Sequence, residues 1–227
     1  MIITDPNLAP RLRLAEVLHK QLVTEGNRFV KSKNEFVLDF AFGKKVIRLS
    51  FNSSMGYISG VDCFIYLIFN DIEKDFKKVL PEYGGTNWTL CRSIYWESGW
   101  LCDEQSGAYT DQTINAVADK FFSELKPKID AEFSKANNYH DLKALFLGQE
   151  QEGDLINWLR PEKRAILKLL LLKAGDPTLM DAVIAQERSR LNDYQGHDRD
   201  EVLSEAETAI AYLKAGDDIK LKTAKHL

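Results

Sequence analysis

The period of the hydrophobic residues changes twice along the chain. From about Phe29 to Trp100 they alternate or run together as in β-strands, and after Thr110 a helical period of three to four residues returns. A first amphipathic helix is predicted by apolar residues that precede Gly26 with the same helical spacing: Leu8, Leu12, Ala15, Leu18 and Leu22. This order predicts an α+β fold, in which helices cover a mostly antiparallel sheet of about five strands.

The first strands are close enough in sequence to pair as hairpins. Residues 36–42 and 46–51 both alternate with period two, as strands with one buried face do. The three residues between them, 43–45, are short enough for a hairpin turn, and residues 32–34 could form another turn before them. Antiparallel pairing therefore explains this part of the chain with the fewest assumptions.

The next apolar run predicts the middle of the sheet. Residues 61–69 are almost continuously apolar, which is typical of a strand that is covered on both faces, and a looser segment, 52–60, leads into them. Asp71 then begins a short helical pattern that Pro81 stops. A further strand-like stretch starts at Trp88.

Helical patterning dominates the rest of the chain. One helix begins after Thr110, and Pro127 predicts a kink or a break in it. Three more helices follow the polar stretch 148–153, at residues 161–174, 176–191 and 198–215. Because their connections are short, we predict an α+β sheet domain over residues 1–148 and a helical extension over residues 149–227 that ends in a basic tail.

Composition and charge narrow the classes of function. The 227 residues carry a net charge of −4, so the basic surface that nucleic-acid binders need is not predicted. No apolar run approaches the roughly 20 residues that cross a bilayer, and the amino terminus does not resemble a secretion signal. Cys63, Cys91 and Cys102 contain no CxxC pair and fit a reducing compartment. We therefore expect a cytoplasmic protein that binds neither nucleic acid nor membrane.

One segment concentrates aromatic and charged side chains. Residues 83–109 contain three of the four tryptophans, beside several acids and an arginine. Large rings with polar edges are common anchors of protein interfaces, although core strands use the same residues. Alternation along residues 88–96 places at least one large ring at the surface. The candidate contacts with a protein partner are Trp88, Arg92, Trp96, Glu97, Trp100 and Tyr109.

The same segment also supports an enzyme as an alternative. Glu97, Asp103 and Glu104 lie near aromatic residues, and glycosidases use two carboxylates in such surroundings. A hydrolase or a carbohydrate-active enzyme would hold these acids in a cleft. Acidic residues of a loop are usually only solvated, however, and no GxSxG, HExxH, GxGxxG or Walker-type motif is present. We therefore assign no catalytic residue.

Two histidine-containing groups resemble ligand sites. His197 begins a group of five residues, 197–201, that holds three carboxylates, and His140 precedes Asp141. Acidic residues are favoured in the first turn of a helix, and Asp198 is a suitable cap for the last helix. Helix capping explains both groups better than ligand binding, so we predict neither a metal site nor a cofactor.

The layout of the first two thirds of the chain resembles a known class of proteins. The run Glu-Gly-Asn-Arg-Phe-Val-Lys at residues 25–31, the phenylalanine-rich strands and the turn Phe-Asn-Asp-Ile-Glu at residues 69–73 carry the resemblance. They are similar to small bacterial domains of unknown function, some of which are linked to toxin immunity. The resemblance covers Leu8 to about Phe146 and implies a cytoplasmic protein that binds another protein. We therefore expect a non-enzymatic protein-interaction module, while its partner and its oligomeric state stay open.

Overall fold

The chain folds into one antiparallel sheet and a set of helices. The computed structural model describes residues 2–54, 57–83, 88–103, 105–148 and 155–215. The strands are β1 (Arg28–Val30), β2 (Glu35–Phe40), β3 (Gly43–Ser54), β4 (Tyr57–Phe69) and β5 (Leu90–Ile94). Their order in the sheet is the order of the sequence. The predicted α+β class, with an antiparallel sheet of five strands, is confirmed.

Tight hairpins join the first three strands. Asn34, with a left-handed φ of 53°, lies at the connection between β1 and β2. The turn between β2 and β3 consists of residues 41–42, so the predicted turn at residues 43–45 is wrong by two positions. The ladder continues further than expected because Lys44 pairs opposite Asp39, where unlike charges face each other across the strands.

Strands β3 and β4 are longer than the sequence predicts. β3 extends to Ser54 and β4 begins at Tyr57, so the predicted looser segment, residues 52–60, is strand wherever the structure describes it. The strand order also places β3 in the middle of the sheet, whereas β4 lies between β3 and β5. The prediction that residues 61–69 form the middle strand is therefore wrong. They belong to β4, which is an interior strand with a neighbour on each side but is not the central one.

The helices agree with the sequence at most of their ends. They are α1 (Pro10–Leu22), α2 (Asn70–Val79), α3 (Asp111–Lys120), α4 (Lys126–Ser134), α5 (Tyr139–Leu147), α6 (Pro161–Gly175), α7 (Met180–Asn192) and α8 (Arg199–Lys214). The three helices predicted after residue 160 correspond to α6, α7 and α8, whereas α5 was not predicted. Within the described ranges, no helix is both long enough and apolar enough to cross a bilayer.

Pro127 changes the helical geometry without ending the helix. A π-helical turn, Phe121–Leu125, joins α3 to α4 immediately before this proline. Proline has no N–H to donate, and its ring clashes with the carbonyl four residues earlier in a regular α-helix. A wider turn at this point relieves that conflict, so the predicted kink or break takes the form of a local π-helical turn.

Two compact units make up the chain. They are Met1–Leu67 with Arg92–Ser134, and Ile68–Cys91 with Lys135–Leu227. These bounds differ from the predicted division into residues 1–148 and 149–227. A domain boundary in the polar stretch stays a prediction, because residues 149–154 lie outside the described residues, as does the predicted basic tail at residues 220–227.

The first unit has an apolar core between strands and helices. Leu18 of α1, Phe36 of β2, Ile65 of β4 and Phe121 of the π-helical turn are completely removed from solvent. α1 also packs against α3. Burial of these side chains provides the main stabilising term of the unit, because each removes a large apolar area from water.

The second unit is mainly helical, and α6 is its central helix. The four leucines at residues 169–172 are all completely buried, and α6 contacts α2, α5, α7 and α8. A helix that is apolar around much of its circumference is typical of such a central position. The buried end of α6 also carries charged residues, which form the second candidate site below.

Candidate functional site

The segment that follows β5 is held against β4 by hydrogen bonds from its buried side chains. We call residues 95–103 and 105–109 the aromatic loop. The Trp96 indole N–H donates to the Val61 carbonyl oxygen at 2.7 Å, and the Val61 N–H donates to Ser98 Oγ at 2.8 Å. Both backbone groups of Val61 are thus used by the loop. The loop is therefore an ordered extension of the sheet in this region.

The end of the aromatic loop is fastened to the start of β4. The Leu101 N–H donates to the Ile58 carbonyl at 3.1 Å, and the Ile58 N–H donates to the Tyr109 hydroxyl at 3.0 Å. The Tyr109 carbonyl accepts a further bond from the guanidinium of buried Arg13 at 2.7 Å, and Arg13 also pairs with Asp111 at 3.0 Å. These contacts limit the freedom of the loop at both ends.

A compact turn lies inside the aromatic loop. Asp103 Oδ1 accepts hydrogen bonds from the N–H groups of Gln105 and Ser106 and from the Ser106 hydroxyl. The Ser106 bonds hold the pKa of Asp103 below its usual value, because they stabilise the ionised carboxylate. Gly107 has a φ of 69°, and a Cβ at this residue would come within 3 Å of the Tyr57 ring. Glycine is therefore required for this turn to pack against Tyr57.

Several large rings in this region face solvent. The exposed fractions are 79% for Tyr95, 41% for Tyr57 and 37% for Trp100, whereas Trp96 is only 7% exposed. Glu97 is also exposed. We call Tyr57, Tyr95, Glu97 and Trp100 the aromatic surface. Exposed rings on a backbone that is fixed by buried neighbours are well suited to anchor a partner, since little conformational entropy is lost on binding.

The structure divides the predicted contact residues into exposed and internal ones. Glu97 and Trp100 are exposed, so they stay candidates. Trp96 is wrong as a surface residue, because it is buried and its indole is bonded inside the unit. Tyr109 is half-buried and accepts a hydrogen bond from the backbone of β4, which gives its hydroxyl an internal role.

Two further predicted contacts also serve the fold. Arg92 is half-buried and donates to the Glu132 carboxylate of α4. Trp88 precedes β5 in the second unit, is half-buried, and accepts a hydrogen bond from Lys163 through its carbonyl. Alternation along the sequence could not show that these side chains have partners inside the protein.

Two exposed rings of the aromatic surface, Tyr95 and Tyr57, were not selected from the sequence. Tyr95 falls on the face opposite Trp96 by strand alternation, and this signal could have selected it. Tyr57 was missed because it lies in the segment taken for a loose connection, where asparagine, serine and glycine are frequent. Its place beside Gly107 depends on the fold and has no signal in the sequence.

The second unit contains a buried acidic group that sequence reasoning also missed. Glu162, near the start of α6, is completely buried. Its Oε1 accepts hydrogen bonds from Arg160 at 2.6 Å and from the Tyr83 hydroxyl at 3.2 Å. Its Oε2 is buried too, and no group in the described part of the chain donates to it. Burial raises the pKa of Glu162, although Arg160 opposes this effect.

Glu205 on α8 has a related environment. Its Oε2 is buried and has no hydrogen-bond partner among the described residues. Burial raises the pKa of Glu205, and the negative charge of Glu162 raises it further. We call Glu162 and Glu205 the carboxyl pair.

Arg160 connects the carboxyl pair with the first turn of α8. Its guanidinium lies 3.2 Å from Asp198 and 3.9 Å from Glu201. Asp198 occupies the N-cap position of α8, as predicted, but its carboxylate does not cap the helix. It accepts a hydrogen bond from the Tyr194 hydroxyl at 2.9 Å instead. The predicted capping role is therefore wrong, because stronger partners are available to this carboxylate.

The residue after Glu162 differs from it because it belongs to a buried ion pair in which both carboxylate oxygens have donors. Lys163 is also buried, but its ammonium group lies 3.2 Å from Glu73 and donates to the Trp88 carbonyl. The Thr89 hydroxyl donates to the other Glu73 oxygen at 3.0 Å. This buried ion pair is balanced in charge and its oxygens have donors, which is the usual requirement for a charge inside a protein.

The two histidine-containing groups lie at the starts of helices α5 and α8. Within the described ranges, no group of three or more His, Cys, Asp or Glu side chains is arranged to hold a metal ion. Asn138 caps α5 by accepting a hydrogen bond from the Asp141 N–H at 2.9 Å, and the Asp141 carboxylate accepts one from the Asn137 N–H at 3.0 Å, which supports the interpretation of residues 140–141 as part of a helix start. Comparison with protein-family models, with curated proteins and with solved structures finds no match to this chain.

Proposed function

We propose that this chain is a non-enzymatic protein-interaction module that binds a partner protein through the aromatic surface. The observation that carries the proposal is the exposure of Tyr95 and Trp100 on a loop whose alternate residues, Trp96 and Ser98, are bonded to β4. Exposed aromatic rings are frequent hot spots of protein interfaces. Because the loop is already ordered, binding does not have to order it.

The charges beside the rings favour a basic partner. Glu97 and Asp103 are exposed acids of the aromatic loop, and the lowered pKa of Asp103 keeps it ionised in mildly acidic solution. Lysine and arginine side chains bind carboxylates and also stack on tryptophan and tyrosine rings. The loop also contacts one cation of the chain itself, because the Lys120 ammonium group donates a hydrogen bond to the Glu97 carbonyl oxygen at 3.3 Å. We therefore expect affinity for the partner to fall with added salt.

An immunity-like role in the cytoplasm is the specific form of this proposal. The resemblance of the chain to domains linked to toxin immunity would make the partner a toxic protein. Cys63 and Cys102 are buried free thiols, and Cys91 is also free, which supports a reducing compartment. The identity of the partner is a matter for experiment.

The enzyme alternative has less support from the geometry. Asp103 uses one carboxylate oxygen to close a turn, and its pKa is lowered, whereas a general acid needs a raised one. Glu97 is exposed, and Glu104 lies outside the described residues. A hydrolase or carbohydrate-active enzyme that uses residues 97–104 is therefore the weaker proposal.

Site-specific photo-crosslinking in the source cells tests the proposed surface. A photoreactive benzoylphenylalanine is introduced at Tyr95 or at Trp100 of the full chain, and at Leu179 as a control that is 45% exposed in the second unit. We expect the same protein to be crosslinked from both loop positions and not from Leu179. Absence of a crosslinked protein at both loop positions, or equal labelling from Leu179, would contradict the proposal.

A further inference from the structure

We propose that Glu162 and Glu205 form a proton-binding site, in which the folded protein keeps a proton on one of the two carboxyl groups under conditions where free glutamates have lost theirs. The proposal does not rest on the proposed function, because its residues are not part of the aromatic surface. Its ligand is the proton, and its consequence is a helical unit whose stability depends on pH.

The first observation is the uneven use of the two oxygens of Glu162. Oε1 has two donors, Arg160 and Tyr83, whereas Oε2 is buried without a hydrogen-bond partner among the described residues. A buried ionised oxygen without a donor is unfavourable, since it has lost its water and gained nothing in exchange. A proton on Oε2 removes this penalty and leaves both bonds of Oε1 in place.

The second observation is that the neighbouring acid has the same need. Glu205 Oε2 is buried and has no hydrogen-bond partner among the described residues. The charge of Glu162 acts on this carboxyl group. Burial already disfavours the ionised form of each acid, and the negative charge of Glu162 makes ionisation of Glu205 less favourable still, so we expect the pair to keep a proton above the ordinary pKa of glutamate.

The charges around the pair do not balance it. Arg160 is divided among three carboxylates, those of Glu162, Asp198 and Glu201. Among the described residues, the groups found to act on the pair or on its neighbours are the acids Glu162, Glu205, Asp198 and Glu201, the cation Arg160, the tyrosines Tyr83 and Tyr194, and His197 beside Asp198. Acids outnumber cations in this group even when His197 is protonated. One bound proton reduces the excess negative charge where it is buried.

The direction of the pH effect follows from linkage. The pKa of each member of the pair is raised above the ordinary 4.5 of glutamate, so the folded state binds the proton more tightly than the unfolded state. The stabilising contribution is complete below pH 4.5 and is lost as the pH rises through the pKa of the folded pair. The second unit is therefore most stable on the acidic side of this transition.

The test measures urea unfolding of the full chain between about pH 5 and about pH 8. The wild type is compared with Glu205→Gln and with the matched control Glu207→Gln. Glu207 lies on the same helix, but it is bonded to Arg188 at 2.7 and 2.6 Å and its pKa is lowered. We expect the wild type and Glu207→Gln to lose stability as the pH rises, and Glu205→Gln to show at most half of that loss.

A carbon-13 NMR titration of the glutamate carboxyl groups in the wild type gives an answer that does not depend on a variant. We expect one carboxyl group, assigned to Glu162 or Glu205, to titrate above the ordinary pKa of 4.5, and we expect Glu207 to titrate below it. If both members of the pair titrate at or below the ordinary value, the proposal is overturned. It is also overturned if Glu205→Gln folds and keeps the full pH dependence of the wild type.

Discussion

The aromatic loop and the carboxyl pair differ in where their unused chemistry lies. In the loop, the buried Trp96 indole N–H and Ser98 hydroxyl have hydrogen-bond partners, and the groups left over, Tyr95 and Trp100, face solvent. In the carboxyl pair, the groups left over are buried oxygens to which no described residue donates. Aromatic rings that face solvent can bind a protein partner, whereas a buried carboxylate oxygen without a donor can bind a proton.

The comparison suggests a rule for interpreting the buried polar groups of this chain. Groups with complete partners, such as Trp96 and the Lys163–Glu73 pair, maintain the structure, and their removal should be costly. Buried groups without a hydrogen-bond partner among the described residues, such as Glu205 Oε2, should destabilise the fold. Their replacement should therefore lower the free energy of unfolding little or not at all. The predictions below test this distinction in order of expected effect.

The largest effect is expected for Trp96→Ala, measured against Trp100→Ala. Removal of the buried Trp96 ring leaves a cavity and an unpaired Val61 carbonyl, so the free energy of unfolding should fall by about 3–5 kcal/mol. Trp100 is 37% exposed, and its replacement should cost no more than about 1 kcal/mol. Urea unfolding measures both values. Equal losses would show that the loop does not separate a buried scaffold from a displayed surface.

The next effect is expected for Lys163→Met. This change leaves the Glu73 carboxylate buried without its ion-pair partner, so we expect a loss of about 3 kcal/mol in the free energy of unfolding at neutral pH. Glu205→Gln, in the same unit, should cause no loss at that pH because Glu205 has no partner to leave behind. A larger loss for Glu205→Gln than for Lys163→Met would reverse the distinction between partnered and unpartnered groups.

A smaller effect is expected for Gly107→Ala. The positive φ of Gly107 and the nearby Tyr57 ring both disfavour a Cβ, so we expect a cost of about 1–2 kcal/mol and a displaced Tyr57 ring. Nearby Ala108→Gly is the control, and it should leave the Tyr57 ring in place. NMR shifts of the tyrosine ring protons measure the displacement. Unchanged Tyr57 shifts in Gly107→Ala would show that this glycine does not position the aromatic surface.

Much of the fold could be predicted because its signals are local. The leucines of α1, the alternation along β2 and the glycine that ends the 3₁₀ turn after α1 are each determined by a few neighbouring residues. The turn at residues 41–42 could not be found in this way, because alanine and phenylalanine are not typical turn residues. Its position depends on the pairing of Lys44 with Asp39 across the hairpin.

The candidate sites were less predictable because they depend on contacts that are distant in sequence. Glu162 shares a hydrogen bond with Tyr83, which is 79 positions away, and nothing in either neighbourhood marks the pair. Trp96 was predicted as a surface residue although it is buried, since alternation identifies the faces of a strand but not which face is covered. Glu97 and Trp100 could be selected because they are close to each other in sequence.

The central claim is that Tyr95 and Trp100 anchor a protein partner, and titration calorimetry tests it most directly. The partner found by crosslinking is titrated with the wild-type chain, with the double variant Tyr95→Ala/Trp100→Ala, and with Leu179→Ala as a control. The account predicts a loss of affinity of about 30-fold or more for the double variant, as expected for interface hot spots, and no change for the control. Equal affinity of the wild type and the double variant would contradict the account.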